Sequence, residues 1–217
     1  MPTYTKGEEI FNMVSHIVGG AFGIFALVFC VLVATLNNNV WGVVSGAIYG
    51  GTIIILYCMS SIYHGLKPNL AKKVFRVIDH CSIFLLIAGT YTPIAIGGQI
   101  RVQKPALAWV IFGVIWAAAI LGITLNAIDM KKYAKFSMIC YILMGWMVVI
   151  MIKPVLEILP IGGFIWLLAG GVAYTVGAVL YGVGKRRKWM HSVFHLFVLL
   201  GSILQFICIL FYIMPNK

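Results

Sequence analysis

The sequence predicts an all-α membrane protein, a bundle of seven transmembrane helices with its N-terminus in the cytoplasm and its C-terminus outside. Three observations carry this reading. Of 217 residues, 62% are apolar and only 10% charged, whereas soluble domains are near half apolar and about a quarter charged. Apolar runs of about 20 residues, each long enough to cross a bilayer as a helix, recur along the chain. The cations gather in the short polar breaks between those runs. A soluble enzyme fold cannot hide so many runs and is excluded. The net charge of +11 would suggest nucleic acid in a soluble chain. Here the sorting of positive loops to the cytoplasmic side accounts for it, so no nucleic-acid partner is implied and the lipid bilayer is the expected environment.

Hydropathy against the polar breaks places the spans at about 16–36, 40–63, 77–97, 105–128, 136–155, 162–181 and 189–213. The first is a retained helix rather than a cleaved signal, because Glu8 and Glu9 precede it and no small-x-small site follows. Gly19 and Gly23 on the first span, and Gly42, Gly46 and Gly50 at four-residue spacing on the second, allow close helix approach. The third opens at Asp79-His80 after the polar loop 65–76, and the seventh opens with His191 and His195. Assigning loops alternately to two sides gives one side Lys6, Lys67, Lys72, Lys73, Arg76, Lys131, Lys132, Lys135, Lys185, Arg186, Arg187 and Lys188. The other side receives Arg101, Lys104, Lys153 and Lys217. This split of twelve to four makes the first side cytoplasmic. No linker or low-complexity tract interrupts residues 1–217, which read as one domain. Cys30, Cys58, Cys81, Cys140 and Cys208 lie on different runs without CxxC spacing, so no disulfide framework is implied.

Ionisable groups within a span are costly and need a partner or a purpose. On the expected topology all five histidines and Asp79 fall at the cytoplasmic end. His191 and His195 are four apart and share a helix face one turn apart, as two ligands of one metal require. Two helix-end histidines can equally snorkel to the interface. His64, ending the second span, adds a third nitrogen at the same depth. Three protein ligands with a fourth position left to water is the arrangement of catalytic zinc. Ser60 lies one turn before His64, where its hydroxyl can meet a water or a carboxylate, or bond back to its own helix. Asp79 can orient and deprotonate a water near the metal, or act as a favourable charge at a helix N-terminus. Glu9, Asn12 and His16 share a face, with Ser15 beside them, and read as polar support for the metal or as an ordinary first turn. His80 points about 100° from Asp79 on a helix and reads as an interface histidine. Asp129 and Glu157 read as solvated.

Together, Glu9-x-x-Asn12-x-x-Ser15-His16, Ser60-x-x-x-His64, Asp79 and His191-x-x-x-His195, in this order on seven spans, resemble the signature of the progestin and adiponectin receptor family, in its hemolysin III branch. The resemblance extends from about Glu8 to Ile213. It implies a seven-helix bundle inverted relative to G-protein-coupled receptors. It also implies zinc held by His64, His191, His195 and a water, with Asp79 hydrogen-bonded to that water. The wider superfamily includes alkaline ceramidases, which implies hydrolysis of a lipid amide. The long cytoplasmic N-terminal domain of the adiponectin receptors has no counterpart here, so a receptor role is not expected.

The expected function is therefore that of a zinc-dependent hydrolase acting on an amide or ester of a membrane lipid, in a bacterial cell membrane. The alternatives are a cytolytic, pore-forming protein, which the branch name records, and a zinc-dependent sensor without catalysis. A transporter fits less well, because it needs polar groups through the midplane with access from both sides.

Overall fold

The computed structural model describes residues 4–184 and 187–215 and contains only helices, with no strand among those residues. Lys185, Arg186 and Lys217 of the charge tally lie outside them. In chain order the elements are Lys6–Leu36 (α1), Val40–Gly65 (α2), Leu70–Thr92 (α3) running on as a π-helical turn Pro93–Gly97, Gln99–Gln103 (α4), Pro105–Asp129 (α5), Ala134–Gly145 (α6), Met147–Ile150 (α7), Ile152–Ile158 (α8), Ile161–Gly184 (α9), and Met190–Cys208 (α10) with a second π-helical turn Ile209–Ile213. Six of these, α1, α2, α3 with its turn, α5, α9 and α10 with its turn, are long and apolar enough to cross a membrane. The protein is a multi-pass membrane protein.

The expected fifth span, 136–155, differs: it is not one helix but three short ones, α6 to α8. It still runs the length of the bundle. At one end Ser137 Oγ donates to Asn126 Oδ1 (2.7 Å) and the Tyr141 hydroxyl to the His80 carbonyl (2.7 Å). At the other, Glu157 pairs with Lys104. Pro154 cannot donate to the carbonyl one turn back, and Gly145 sits at the first break. The Tyr91 hydroxyl spans that break, donating to Gly145 O (2.9 Å) and accepting from Val148 N (3.0 Å). Broken backbone at membrane depth is tolerated when protein groups satisfy it in this way.

The first span also differs, because α1 starts ten residues earlier than its apolar run. Thr5 accepts from the Glu8 amide (3.3 Å) and Glu8 returns a carboxylate to Thr5 N (2.8 Å), a complete capping box. At 31 residues the helix is roughly 46 Å long, more than the hydrocarbon thickness of about 30 Å. Its first turns therefore extend the bundle beyond the apolar layer, and His16 sits well inside the helix rather than opening it.

The predicted close approach of the first two spans is realised. A side chain at Gly50 would place its Cβ 2.5 Å from Leu27 Cα, so only glycine permits α1 and α2 to lie this near. The turn between them uses Asn38 at φ 53°, a left-handed conformation that asparagine tolerates. Of the apolar stretch of α3, 72% is buried, against 28% in α5 and in α9. The third span is thus the central element, and the lipid-facing side chains, among them Val110, Val114, Ile120 and Leu121, are on outer helices such as α5. A cavity of about 840 Å³ lies between α3, α6, α9 and α10 and extends from His16 and Asp79 down to Tyr174 and Gln205.

Candidate metal centre

Three imidazoles converge where α2 ends and α10 begins. The Nε2 atoms of His191 and His64 are 3.4 Å apart, and those of His195 and His191 are 3.0 Å apart. One ligand atom from each of the three lies within 4.8 Å of the others, a group able to hold a metal ion. Tetrahedral nitrogens at about 2.0 to 2.1 Å from a zinc ion stand about 3.3 Å from one another, so these separations fit that ion. Three neutral imidazoles presenting Nε2 to one point cannot satisfy one another by hydrogen bonds, since each carries one proton and one lone pair. His64 and His195 are almost fully buried.

The orientation of His64 is fixed from behind. Its Nδ1 is 2.6 Å from Glu9 Oε2, so with the proton on Nδ1 it donates to the carboxylate and leaves the Nε2 lone pair facing the other two rings. A carboxylate behind a metal-ligating histidine sets its tautomer and raises its basicity. Lys72 in turn donates to Glu9 Oε1 (2.6 Å) and to the Leu66 carbonyl (3.0 Å), lies 5.1 Å from the Tyr63 ring centre and is buried. The Nδ1 atoms of His191 and His195 have no partner among the described residues. His191 is instead held by the Tyr4 ring, stacked at 4.8 Å and 13°. Burial pushes the Tyr4 hydroxyl far above its ordinary range, so it packs as a neutral phenol.

The remaining residues singled out from sequence divide into two groups. Asn12 is buried, and its Oδ1 accepts from Ser192 Oγ on α10 (2.7 Å), tying α1 to the helix that carries two of the histidines. His16 is buried with its ring centre 3.9 Å from that of His195 and 5.1 Å from that of Tyr57. Asp79 and Ser60 line the cavity together and interact with one another. Asp79 stands beside the three-imidazole group without being part of it. Ser15 is not brought in: its hydroxyl donates to Asn12 O on its own helix (3.0 Å).

His80 is closer to Asp79 than its helix angle suggests. Its Nδ1 donates to the Arg76 carbonyl (2.9 Å), which turns the ring back to 3.7 Å from Asp79 Oδ2, and it lines the same cavity. Asp129 is solvated as expected and accepts from the amides of Lys131 and Lys132 (3.0 Å each). Three features escaped the sequence reading. Lys72, counted among topological charges, is a buried partner of Glu9. Tyr4 covers the histidines, and nothing in its surroundings in sequence announces that. Glu8 both completes the capping box and accepts from Trp189 N (2.6 Å), holding the start of α10 against α1. The Thr5-x-x-Glu8 spacing was the signal that could have revealed the early start of α1.

Comparison with known proteins finds relatives along almost the whole chain. A family profile described as Haemolysin-III related matches residues 4–206. The chain is 38% identical over 209 residues to Hemolysin-3 of Bacillus cereus, covering 96% of this chain and 93% of that protein. It is 35% identical over 209 residues to the Hemolysin-3 homolog of Bacillus subtilis (strain 168), covering 96% of each. The human Monocyte to macrophage differentiation factor is 23% identical over 194 residues, 85% of this chain and 76% of that protein.

Proposed function

The chain belongs to the haemolysin-III-related family of multi-pass membrane proteins, and from that premise we propose that it is a bacterial zinc-dependent hydrolase that cleaves an acyl amide or ester of a membrane lipid. One observation supports the reading: three imidazoles converge, two of them buried, and His191 and His195 among them line one end of a cavity that runs between largely apolar walls to mid-span. His64, His191 and His195 would hold the zinc ion, which would supply a Lewis acid and lower the pKa of water to near 7. The chain's own residues do the rest. Glu9 fixes the His64 tautomer and Lys72 fixes Glu9. The cavity, with Leu86, Ile87, Ile142 and Val198 in its walls, takes the acyl chain and excludes water from it. Asp79, with Ser60 and His80 beside it, accepts a proton from the attacking water and delivers it to the departing nitrogen or oxygen.

The histidine end is proposed to face the cytoplasm, on the twelve to four split of cations. A reporter active only in the cytoplasm should work near Lys72 or Arg186 and be silent after Lys217. An active C-terminal fusion would overturn that orientation. The hydrolase is tested with purified protein in lipid, measuring fatty-acid release over a panel of lipid amides and esters with zinc content determined on the same samples. Wild type should turn over at least one class. No turnover across the panel, or an Asp79→Asn variant as active as wild type, would overturn the hydrolase and leave a structural or sensing metal.

A further inference from the structure

Four of the cations assigned to one side of the membrane stand apart from the rest. Arg76, Lys131, Arg187 and Lys188 line the cavity, whereas Lys6, Lys67, Lys73, Lys132 and Lys135 do not. Positive-inside sorting explains cations in a loop but not their convergence on one cavity from α3, the α5–α6 turn and the approach to α10. None of the four forms an ion pair among the described residues, because the carboxylates are engaged elsewhere. Glu8 is held by Thr5 and the Trp189 amide, and Glu9 by His64 and Lys72. Asp79 faces His80, Asp129 caps the turn at Lys131 and Lys132, and Glu157 pairs with Lys104 at the far end. Glu8 acts on Lys188, and Asp79 on Arg76, only from beyond ion-pair distance. Arg76 Nε is moreover shielded from solvent with no hydrogen-bond partner. A partly buried, unpaired guanidinium is expensive and signals a missing anion.

We infer that the mouth of this cavity binds the phosphate of a membrane phospholipid, so that the substrate is an acylated lipid whose headgroup phosphate is held by Arg76, Lys131, Arg187 and Lys188. The inference rests on the hydrolase reading for the bond that is cut, but not for the binding itself. Arginine's planar donors match phosphate oxygens in pairs, and four cations suit a phosphomonoester headgroup, as in phosphatidic acid, which carries more than one negative charge. The spacing fits as well. Arg76 is one turn before Asp79 and His80, and its carbonyl accepts from His80 Nδ1. One turn is about 5.4 Å along the axis. In a phospholipid a few bonds separate phosphorus from the nearest acyl carbonyl, on the order of 5 to 6 Å. A phosphate at Arg76 therefore sets an acyl carbonyl at the level of Asp79 and the histidines, while the chain enters the apolar part of the cavity. The reaction is a balanced hydrolysis: water oxygen bonds to the acyl carbon, the acyl C–O or C–N bond breaks, and the leaving atom takes the proton that Asp79 carried. A fatty acid and a lysolipid that keeps its phosphate are the products.

The test is binding, read from tryptophan fluorescence (Trp146 lines the cavity) and native mass spectrometry of the full-length protein in neutral detergent. The probes are dioctanoyl phosphatidic acid, dioctanoyl glycerol and inorganic phosphate. Phosphatidic acid should bind about tenfold or more tightly than the uncharged diacylglycerol, and a variant with all four cations changed to Gln should lose that advantage. Arg76→Gln alone should weaken binding several-fold, while Lys132→Gln/Lys135→Gln, which removes charge away from the cavity, should leave it unchanged. Equal binding of phosphatidic acid and diacylglycerol would overturn the inference, as would equal losses in both multiple variants. Inorganic phosphate bound as tightly as phosphatidic acid would assign the cluster to a soluble anion and overturn the lipid. His64→Ala separates the two readings: it should lose zinc and hydrolysis yet keep its affinity for phosphatidic acid.

Discussion

Both ends of the bundle bury polar side chains, and they treat them in opposite ways. At the far end Asn39, between α1 and α2, caps α2 through Gly42 N (2.8 Å) and donates to Gly97 O (2.8 Å) and Met214 O (3.2 Å). One buried amide thus ties together the helix start and the ends of both π-helical turns. Trp116 Nε1 donates to Thr92 Oγ1 (3.0 Å) in the same half. At the histidine end Asn12 Nδ2, both nitrogens of His16, Arg76 Nε and the Nδ1 atoms of His191 and His195 are buried without partners among the described residues. Gln205 Oε1, deeper in the bundle, is the other such atom. A buried polar group left unpaired costs about 1 to 3 kcal/mol. A concentration of them at one end, against a satisfied network at the other, is what the proposed ligand site would require and a polar structural joint would not.

The sharpest way to break this contrast is to remove one imidazole. Purified wild type should carry about one zinc per chain, and His64→Ala, His191→Ala or His195→Ala should reduce it to near background by elemental analysis, because two nitrogens do not make a zinc site. Full retention in the triple variant would reject the metal. The next largest effect is on chemistry alone. Asp79→Asn keeps the shape of the side chain but removes the base, so acyl release should fall by roughly 10² to 10⁴ while zinc stays bound. A parallel loss of zinc would make Asp79 part of the metal site instead.

Much of this was legible in the sequence because the decisive signals are local or periodic. Span positions follow from hydropathy, and the contacts at Gly50 follow from four-residue spacing. His191 and His195 announce a shared face by their separation. His64 could be joined to them only through the depth that alternating crossings assign. The missed features are those in which tertiary contact overrides local pattern. Gly145 and Pro154 are weak local signals in an apolar run, and the Tyr91 hydroxyl from α3 is what satisfies the backbone at the Gly145 break. Lys72 looks like its neighbour Lys73, yet one is buried against Glu9 and the other exposed. His80 is the exception: a local bond to the Arg76 carbonyl, one turn back on its own helix, turns the ring toward Asp79.

A smaller effect should come from the carboxylate behind His64. Glu9→Gln can still accept from Nδ1, but without its charge it polarises the ring less and gives up the ion pair with Lys72. Zinc affinity should weaken by about 10 to 100-fold, read by competition with a chromogenic chelator, while occupancy at saturating zinc stays near one. Unchanged affinity would reduce Glu9 to an anchor for Lys72.

The smallest expected effect is at the far end, and it tests the other half of the comparison. Asn39→Ala removes the cap of α2 and leaves the carbonyls of Gly97 and Met214 without a donor in a buried position. The loss should be about 1 to 3 kcal/mol of stability, seen as a lower thermal midpoint in detergent, with zinc content and acyl release unchanged below that midpoint. Asn39→Asp keeps an oxygen for Gly42 N but turns a second oxygen toward two carbonyls, so it should be no better than alanine even though aspartate is as good a helix cap as asparagine. If Asn39→Asp behaved like wild type, the two carbonyl contacts would contribute nothing and the joint would be only a helix cap. If either variant lost zinc, the two ends would be coupled through α2, and the division between a structural joint and a ligand site would fail.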